Sequence, residues 1–188
     1  MHKAHGHERV DEYGWLRDDA RTHPEVLAHL EYENAWFRQC MAPAADLERA
    51  LYEEMTARLD PDDSSVPVER NGYWYYHRYV TGSEYAIHGR RQASMDAPEE
   101  VLLNENDRAE GHAFYRLGDL EPSSHHRYLA IAEDIVGRGQ YDIRLFDTDR
   151  GRFLPEVITN AAPGVAWSAC EDYLFYLEKH PETLLAYR

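Results

Sequence analysis

The chain has 188 residues, of which 43% are hydrophobic and 12% aromatic, so it can bury a core and is not expected to be wholly disordered. Its formal net charge of −15 argues against nucleic acid as a partner, because phosphate binding requires a basic surface. An acidic surface is compatible with cationic peptide partners, although acidity also serves solubility.

The two cysteines and the apolar segments bear on the compartment. Cys40 and Cys170 lie far apart and lack the spacing of metal ligands, which predicts two buried free thiols in a reducing compartment. The N-terminus has no apolar signal segment, and no run of about 18 apolar residues could cross a membrane. We therefore expect a cytoplasmic protein with no membrane partner.

The first sixty residues have a helical pattern. Thr22-His23-Pro24-Glu25 offers a capping hydroxyl, a first-turn proline and an acid near the positive end of the helix dipole. Apolar side chains then recur every three or four residues, and Ala42-Pro43-Ala44 separates a second helix with the same spacing. The short break predicts an antiparallel helix pair, whose apolar face needs a further surface to cover it. We assign residues 1–62 to this segment.

The pattern changes to strands after the turn-rich segment 60–65. Asn71-Gly72 separates two strand-like runs, and this dipeptide is the strongest short signal of a β-hairpin. Two further short runs, at 85–88 and 101–103, complete a predicted four-stranded sheet. Residues 66–110 therefore form the first predicted repeat of a β region that spans 63–188.

The β region repeats itself with a fixed period. Tyr128-Leu129-Ala130-Ile131 aligns with Tyr173-Leu174-Phe175-Tyr176, 45 residues later, and a short strand and a turn precede both. Four short strands in about 40–50 residues are the spacing of a β-propeller blade, whereas a β-sandwich has no such repeat. We predict an α+β chain with about two and a half four-stranded blades, at 66–110, 111–160 and 161–188, the last incomplete.

Catalytic and metal-binding patterns are sparse in the sequence. No Gly-x-Ser-x-Gly nucleophile motif is present, so we expect no catalytic residue in this chain, no α/β-hydrolase domain and no activity of the chain alone. His2, His5 and His7 are more typical of a mobile tail than of a metal site. The segment 147–151 is better explained as a hairpin turn than as a calcium loop. We expect neither a metal nor a cofactor.

One connection between strands is a candidate substrate gate. Glu133-Asp134 and Gly137-Arg138-Gly139-Gln140 lie between two predicted strands, where a loop can line the mouth of a propeller. Glu133, Asp134 and Arg138 are therefore the candidate gating residues. A solvated connection without any function explains the same residues.

Ordered matches over most of the chain give a resemblance to the prolyl oligopeptidase family of serine peptidases, and within it to the oligopeptidase B branch. The matching strings are Tyr13 to Asp19, Pro24 to Leu27, Glu33-Asn34, Asn71-Gly72-Tyr73, Gly82 to Ile87, Phe114-Tyr115, Leu129 to Asp134, Tyr141 to Arg144 and His180 to Leu185. No single string is specific, but their order along the chain is.

The resemblance implies a two-domain enzyme, with a seven-bladed propeller inserted between an N-terminal segment and an α/β-hydrolase domain. It implies hydrolysis of short, basic peptides after Arg or Lys, with a propeller that excludes folded proteins. The Ser-Asp-His triad would lie after Arg188. The helix face would then cover the hydrolase domain through five side chains: Leu27, Leu30, Phe37, Leu47 and Leu51.

Two alternatives stay open at this point. The parent protein could be a prolyl oligopeptidase that prefers proline, because this region separates the two specificities poorly. The chain could also be a stand-alone, non-catalytic propeller-like binding module, whose bare sheet edges would favour self-association.

Overall fold

The computed structural model describes residues 2–181 and 183–187. It divides into two compact units, Met1–Leu59 and Asp60–Arg188. Within the described residues, no helix has the length and apolar character needed to cross a membrane.

The first unit begins with a hairpin and continues with helices. Its elements are β1 (His2–Ala4), β2 (His7–Arg9), a 3₁₀ turn (Gly14–Leu16), α1 (Pro24–Met41), a second 3₁₀ turn (Ala42–Ala44) and α2 (Ala45–Thr56). His5 and Gly6 have positive φ angles of 51° and 78°, which two-residue hairpin turns require. The histidine-rich segment, which the sequence suggested to be a mobile tail, therefore takes a hairpin conformation over the described residues. Those residues contain no group of three or more metal-binding side chains.

The start of α1 is capped differently from the prediction. His23, not Thr22, is the N-cap residue, and its side chain makes no capping hydrogen bond. Instead the backbone N–H of His23 donates to Asp18 Oδ2 at 2.6 Å. This hydrogen bond holds the pKa of Asp18 below its ordinary value. Pro24 and Glu25 occupy the first turn, as the sequence indicated.

The predicted antiparallel helix pair is wrong. The backbone remains right-handed helical at Met41, Ala42, Ala44 and Ala45, so the break does not reverse the chain. Proline at a first helical turn costs no hydrogen bond, which allows Pro43 to continue the helical path into α2. The apolar side chains of both helices stay exposed, whereas a folded-back pair would bury them.

The second unit begins with a four-stranded antiparallel sheet in sequential order. Its strands are β3 (Val68–Arg70), β4 (Tyr73–Arg78), β5 (Ile87–Gln92) and β6 (Glu100–Asn104). The predicted hairpin is confirmed: Arg70 pairs with Tyr73, and Asn71 and Gly72 have φ angles of 49° and 86°. A short helix that was not predicted, α3 (Glu105–Ala109), follows β6 and is capped by the Asn104 side chain.

A five-stranded antiparallel sheet follows, in the order β11-β10-β9-β8-β7. Its strands are β7 (Arg116–Pro122), β8 (Tyr128–Asp134), β9 (Tyr141–Asp147), β10 (Arg152–Trp167) and β11 (Leu174–Glu178). The expected boundary at 160/161 falls inside β10, which bends at an irregularity between Ala161 and Val165. The strands assigned to a third blade therefore continue the second sheet. Arg188, part of the predicted incomplete strand, lies outside the described residues, as does Glu182.

The five-stranded sheet curls so that the second half of β10 approaches the edge strand β7. The backbone N–H of Val165 on β10 donates to Asp119 Oδ2 on β7 at 3.0 Å, and Trp167 Nε1 donates to the carbonyl of Glu121 at 3.0 Å. Gly118 allows this approach, because a Cβ at that position would lie 2.5 Å from Tyr141 Cε1 and 2.7 Å from Pro163 Cβ.

The 45-residue repeat is confirmed at the level of single hydrogen bonds. Ser123 Oγ accepts from the N–H of Tyr128 at 3.1 Å, and Ser168 Oγ accepts from the N–H of Tyr173 at the same distance. The third residue after each serine has a positive φ, 66° at His126 and 61° at Glu171. The two turns are therefore the same structure built twice.

The core of the second unit joins its two sheets. Leu102 and Leu103 of β6 pack with Leu129 and Ile131 of β8 in one buried cluster. A second cluster fills the curl of the five-stranded sheet, around Ala130, Ala132, Tyr141, Ile143 and Ala161. Because β8 supplies side chains to both clusters, it is the central element of the unit.

A polar clamp also joins the two sheets. Arg90 of β5, only 5% exposed, donates to both carboxylate oxygens of Glu100 at 2.8 and 3.0 Å. It also donates to the carbonyl of His126, in the turn after β7, at 2.9 Å. The Tyr75 hydroxyl lies 2.7 Å from His126 Nδ1. The buried arginine therefore has a partner on each sheet.

Candidate functional site

The candidate gate has its carboxylates inside the sheet and its cation on the loop. Glu133 and Asp134 are the last two residues of β8 and are 4% and 2% exposed, so they do not lie between strands as the sequence suggested. The connection to β9 consists of residues 135–140 and contains Arg138. β8 extends past its apolar residues to Glu133 and Asp134 because both carboxylates accept hydrogen bonds from groups within the fold.

Asp134 fixes the conformation of the loop. Its Oδ1 accepts from the N–H groups of Val136 and Gly137 at 2.9 and 2.8 Å, and its Oδ2 accepts from Gly139 at 2.7 Å. Burial by itself would raise the pKa of Asp134, but these backbone donors outweigh it and hold the pKa below the ordinary value. The carboxylate therefore stays ionised and organises the loop.

Glu133 is held on the other side of β8. Arg108 of α3 donates Nε to Oε1 at 2.8 Å and Nη2 to Oε2 at 2.6 Å, which makes a two-pronged ion pair. The buried Tyr115 hydroxyl donates to Oε1 at 3.0 Å. Burial, and then the charge of Glu133, raise the pKa of Tyr115, so the phenol keeps its proton.

The loop borders a cleft of about 240 Å³. The polar side chains that line it are Glu133, Arg138, Gln140, Asp142 and Asn160. Lys179, just after β11, reaches back to donate Nζ to the carbonyl of Gly139 at 2.5 Å. Two cationic side chains, Arg138 and Lys179, therefore flank the backbone of Gly139.

Arg138 differs from the two acids in its contacts with the described residues. Its Nε is buried and has no hydrogen-bond partner among residues 2–181 and 183–187. An unsatisfied buried donor costs about 1–3 kcal/mol, so such a group calls for an explanation. The cleft therefore offers a ligand the guanidinium of Arg138 beside the carboxylate of Asp142, while Glu133 and Asp134 make hydrogen bonds within the fold.

Sequence reasoning missed the partners that hold these acids. Arg108 and Tyr115 approach Glu133 from 25 and 18 residues away in the chain. The signal that could have found Arg108 is the helix N-cap Asn104 with acidic residues in the following turn, which predicts a short helix before β7. Nothing local to Lys179 indicates its contact with Gly139.

The five helix side chains expected to face a hydrolase domain are all exposed. Their exposed fractions are 43% for Leu27, 50% for Leu30, 59% for Phe37, 61% for Leu47 and 48% for Leu51. Val26 is the one buried residue among side chains 5–59. The helices therefore present an apolar surface that the rest of the described chain leaves open to solvent.

The thiols also differ from the prediction, because Cys40 and Cys170 are both free and exposed rather than buried. Cys40 lies on the uncovered helix α1, and Cys170 lies in the turn before β11, where its Sγ is 3.3 Å from Ser168 Oγ. Burial therefore does not shield either thiol.

The fold has clear relatives. The family model of the N-terminal β-propeller domain of prolyl oligopeptidase matches residues 1–187. Dipeptidyl aminopeptidase BI of Pseudoxanthomonas mexicana is 46% identical over 98% of this chain and 28% of its own length. Protease 2 of Moraxella lacunata is 32% identical over 93% of this chain and 26% of its own length.

Two solved structures are similar over nearly the whole chain. Oligopeptidase B from Leishmania major has a TM-score of 0.87 and 31% identity, with 95% of this chain and 25% of that chain covered. Oligopeptidase B from Trypanosoma brucei, in a closed form with covalently bound antipain, has a TM-score of 0.82 and 32% identity. The match covers 92% of this chain and 24% of that chain.

These likenesses define the class of fold and then the family. The sheets of the second unit are blades of an N-terminal β-propeller domain, as the repeat predicted. The chain belongs to the prolyl oligopeptidase family of peptidases. It spans about a quarter of the length of the relatives that it matches.

Proposed function

We propose that this chain is the N-terminal helical and propeller part of a serine oligopeptidase that hydrolyses short peptides after Arg or Lys. The observation that carries this proposal is the likeness to oligopeptidase B, with a TM-score of 0.87 over 95% of the chain. The catalytic Ser, Asp and His are placed outside these 188 residues, in a C-terminal hydrolase domain. The chain alone is then inactive.

In this proposal the propeller limits the size of the substrate. A narrow channel admits only unfolded chains, and closure over a hydrolase excludes bulk water from the reaction. The loop after β8 suits a fixed wall of such an entrance, because three backbone N–H groups bind the buried Asp134. Residues 1–62 would pack on the hydrolase domain through the exposed leucines of α1 and α2, and residues 63–188 would form the blades.

The charge and the cysteines fit a cytoplasmic peptidase for basic peptides. A surface with net charge −15 attracts cationic substrates over distances of about a Debye length, near 8 Å at physiological salt. Two exposed free thiols are compatible with a reducing compartment.

A second specificity has its own support. The 46% identical relative is named a dipeptidyl aminopeptidase, which favours release of dipeptides from the N-terminus of a peptide. A dipeptidyl peptidase requires a free N-terminal amine, whereas an oligopeptidase cleaves internal bonds in blocked peptides. Preference for proline is a third specificity within the same family.

A peptide panel tests the proposal. The full-length protein would be given peptides with Arg, Lys or Pro before the cleaved bond, each with a free or an acetylated N-terminus. Cleavage after Arg and Lys in the blocked peptides is expected. Cleavage confined to free N-terminal dipeptides would assign the second specificity, cleavage after Pro the third, and a folded protein that cleaves nothing would refute all three.

A further inference from the structure

We propose that Arg138 binds the C-terminal carboxylate of the peptide substrate in the cleft beside the β8–β9 loop. The inference rests on the proposed peptidase function, because short peptides are the ligands that it assigns to this face of the loop. It extends that function by naming the chemical group that the propeller would recognise.

The first support is that Arg138 lacks a carboxylate partner among the described residues. Most arginines that bridge elements of the second unit have carboxylate partners: Arg78 pairs with Glu99, Arg90 with Glu100 and Arg108 with Glu133. Arg138 forms no ion pair with a described carboxylate, and its buried Nε donates to no described acceptor. A planar guanidinium binds a carboxylate through two parallel hydrogen bonds, which would satisfy the remaining donors.

The second support is the rigidity of the loop that carries this arginine. Asp134 binds the N–H groups on both sides of Arg138, those of Gly137 and Gly139. Lys179 binds the Gly139 carbonyl, which adds a second cation beside the site. The arginine is therefore presented on a backbone that is already ordered, so binding would cost little conformational entropy.

The charges around the cleft decide where an anion would lie. Arg108 balances the charge of Glu133 and Tyr115 donates a hydrogen bond to it, so Glu133 adds little repulsion. Asp142 also lines the cleft and would repel an anion. We therefore assign the carboxylate to Arg138, with Lys179 adding positive charge at the Gly139 backbone, and removing the charge of Asp142 should strengthen binding.

The test uses the full-length peptidase and matched peptides that end in a free carboxylate or an amide. In the wild-type protein, the acid is expected to have a kcat/KM about tenfold above the amide, as one charge-assisted ion pair would give. Arg138→Gln should bring the ratio of acid to amide close to one. Arg138→Lys should keep part of the preference for the acid, and Asp142→Asn should increase that preference.

The control variant is Arg152→Gln. Arg152 is exposed and follows β9 at the end opposite to the loop, so its loss should leave the ratio unchanged. An unchanged ratio in Arg138→Gln would overturn the proposal. An equal fall for acid and amide would also overturn it, since the arginine would then bind a carboxylate of the protein.

A binding measurement separates this inference from the proposed function. Calorimetric titration of the same full-length proteins would use N-acetyl-glycyl-glycine and its amide. Tighter binding of the acid, lost in Arg138→Gln, would support the site even if no peptide were hydrolysed. Equal binding of acid and amide would refute the site, even if the peptidase activity were established.

Discussion

The two units of the chain place the same residue types in opposite environments. Leu129 of β8 is fully buried in the core that joins the two sheets, whereas Leu51 of α2 is 48% exposed. The same contrast holds for ion pairs: Glu133 is 4% exposed beside Arg108, while Glu54 on α2 and Arg58 just after it are 60% and 72% exposed. The β unit thus contains its own core, whereas the helical unit leaves most of its apolar side chains exposed.

Physical chemistry explains why a helical segment can carry such a surface. Short helices are marginal in water, and most of their stability comes from packing an apolar face. A propeller blade, by contrast, buries its faces against the next blade, so two neighbouring blades already form a core. If the proposed peptidase exists, we expect the exposed face of α1 and α2 to be an interface with its hydrolase domain, whereas an independent module would keep this face in solvent.

Matched leucine substitutions should give the largest difference between the units. Leu129→Ala leaves a cavity in a fully buried site and should lower the free energy of unfolding by about 2–5 kcal/mol. Leu51→Ala in the same 188-residue chain should change it by about 0.5 kcal/mol or less. Denaturant unfolding of both variants measures this difference. Similar losses in the two would show that α2 already has a core.

A second pair of variants compares the ion pairs. Glu133→Gln leaves Arg108 without its carboxylate at a largely buried site, and we expect a loss of about 1–3 kcal/mol. Glu54→Gln removes an exposed pair on α2 and should cost about 0.5 kcal/mol or less. Thermal unfolding is sufficient to detect the difference, and equal shifts of the melting temperature would contradict the burial argument.

The curl of the second sheet depends on one missing side chain. Gly118→Ala would place a methyl group against Tyr141 and Pro163 at less than van der Waals distance. Overpacking of this kind costs about 1–3 kcal/mol. Gly164→Ala is the matched control, because nothing lies within 4 Å of a Cβ there. If the two substitutions had equal effects on denaturant unfolding, β7 would not lie against β9 and β10 as described.

Acid should destabilise the β unit through its held carboxylates. The pKa of Glu99 is lowered first by its hydrogen bond from Arg78, and the pKa values of Asp134 and Glu171 are also lowered. A carboxyl group with a lowered folded pKa adds stability above its unfolded pKa, near 4, and loses it as the pH falls through the folded value.

The variant Asp134→Asn tests the share of one such group. It should flatten the dependence of stability on pH below about pH 5, because one fewer group takes up a proton on unfolding. Chemical unfolding between pH 3 and pH 7 gives the comparison. Asp142→Asn is the control. Asp142 lies on β9, just after the loop, and the three loop N–H groups donate to Asp134 and not to Asp142. An Asp134→Asn profile equal to that of the wild type would contradict the proposed role of these hydrogen bonds.

Sequence patterns predicted the parts of the fold that depend on interactions between neighbouring residues. Asn71-Gly72 requires positive φ angles at both positions and so fixed the hairpin, and the 45-residue repeat located the turns at Ser123 and Ser168. The length of β10 could not be predicted in the same way. Its second half is held by contacts with β7, which lies more than 40 residues earlier.

The candidate site was predicted only in part, for a similar reason. The loop was found because Gly137 and Gly139 interrupt a strand pattern, but the roles of its charged residues depend on distant partners. Arg108 and Tyr115 bury Glu133, and the backbone of the loop itself buries Asp134. The thiols show the reverse case: a residue type that is usually buried is exposed at Cys40, on a helix whose only buried side chain among the described residues is Val26.

Amide hydrogen exchange tests most directly the claim that the β unit has its own core while the helices need the rest of the peptidase. It would be measured on the 188-residue chain and on the full-length protein. We predict that amides of α1 and α2 exchange rapidly in the chain and are protected in the full-length protein, whereas those of β8 and β9 are protected in both. Helices protected as strongly as β8 in the 188-residue chain would contradict the claim and favour an independent module.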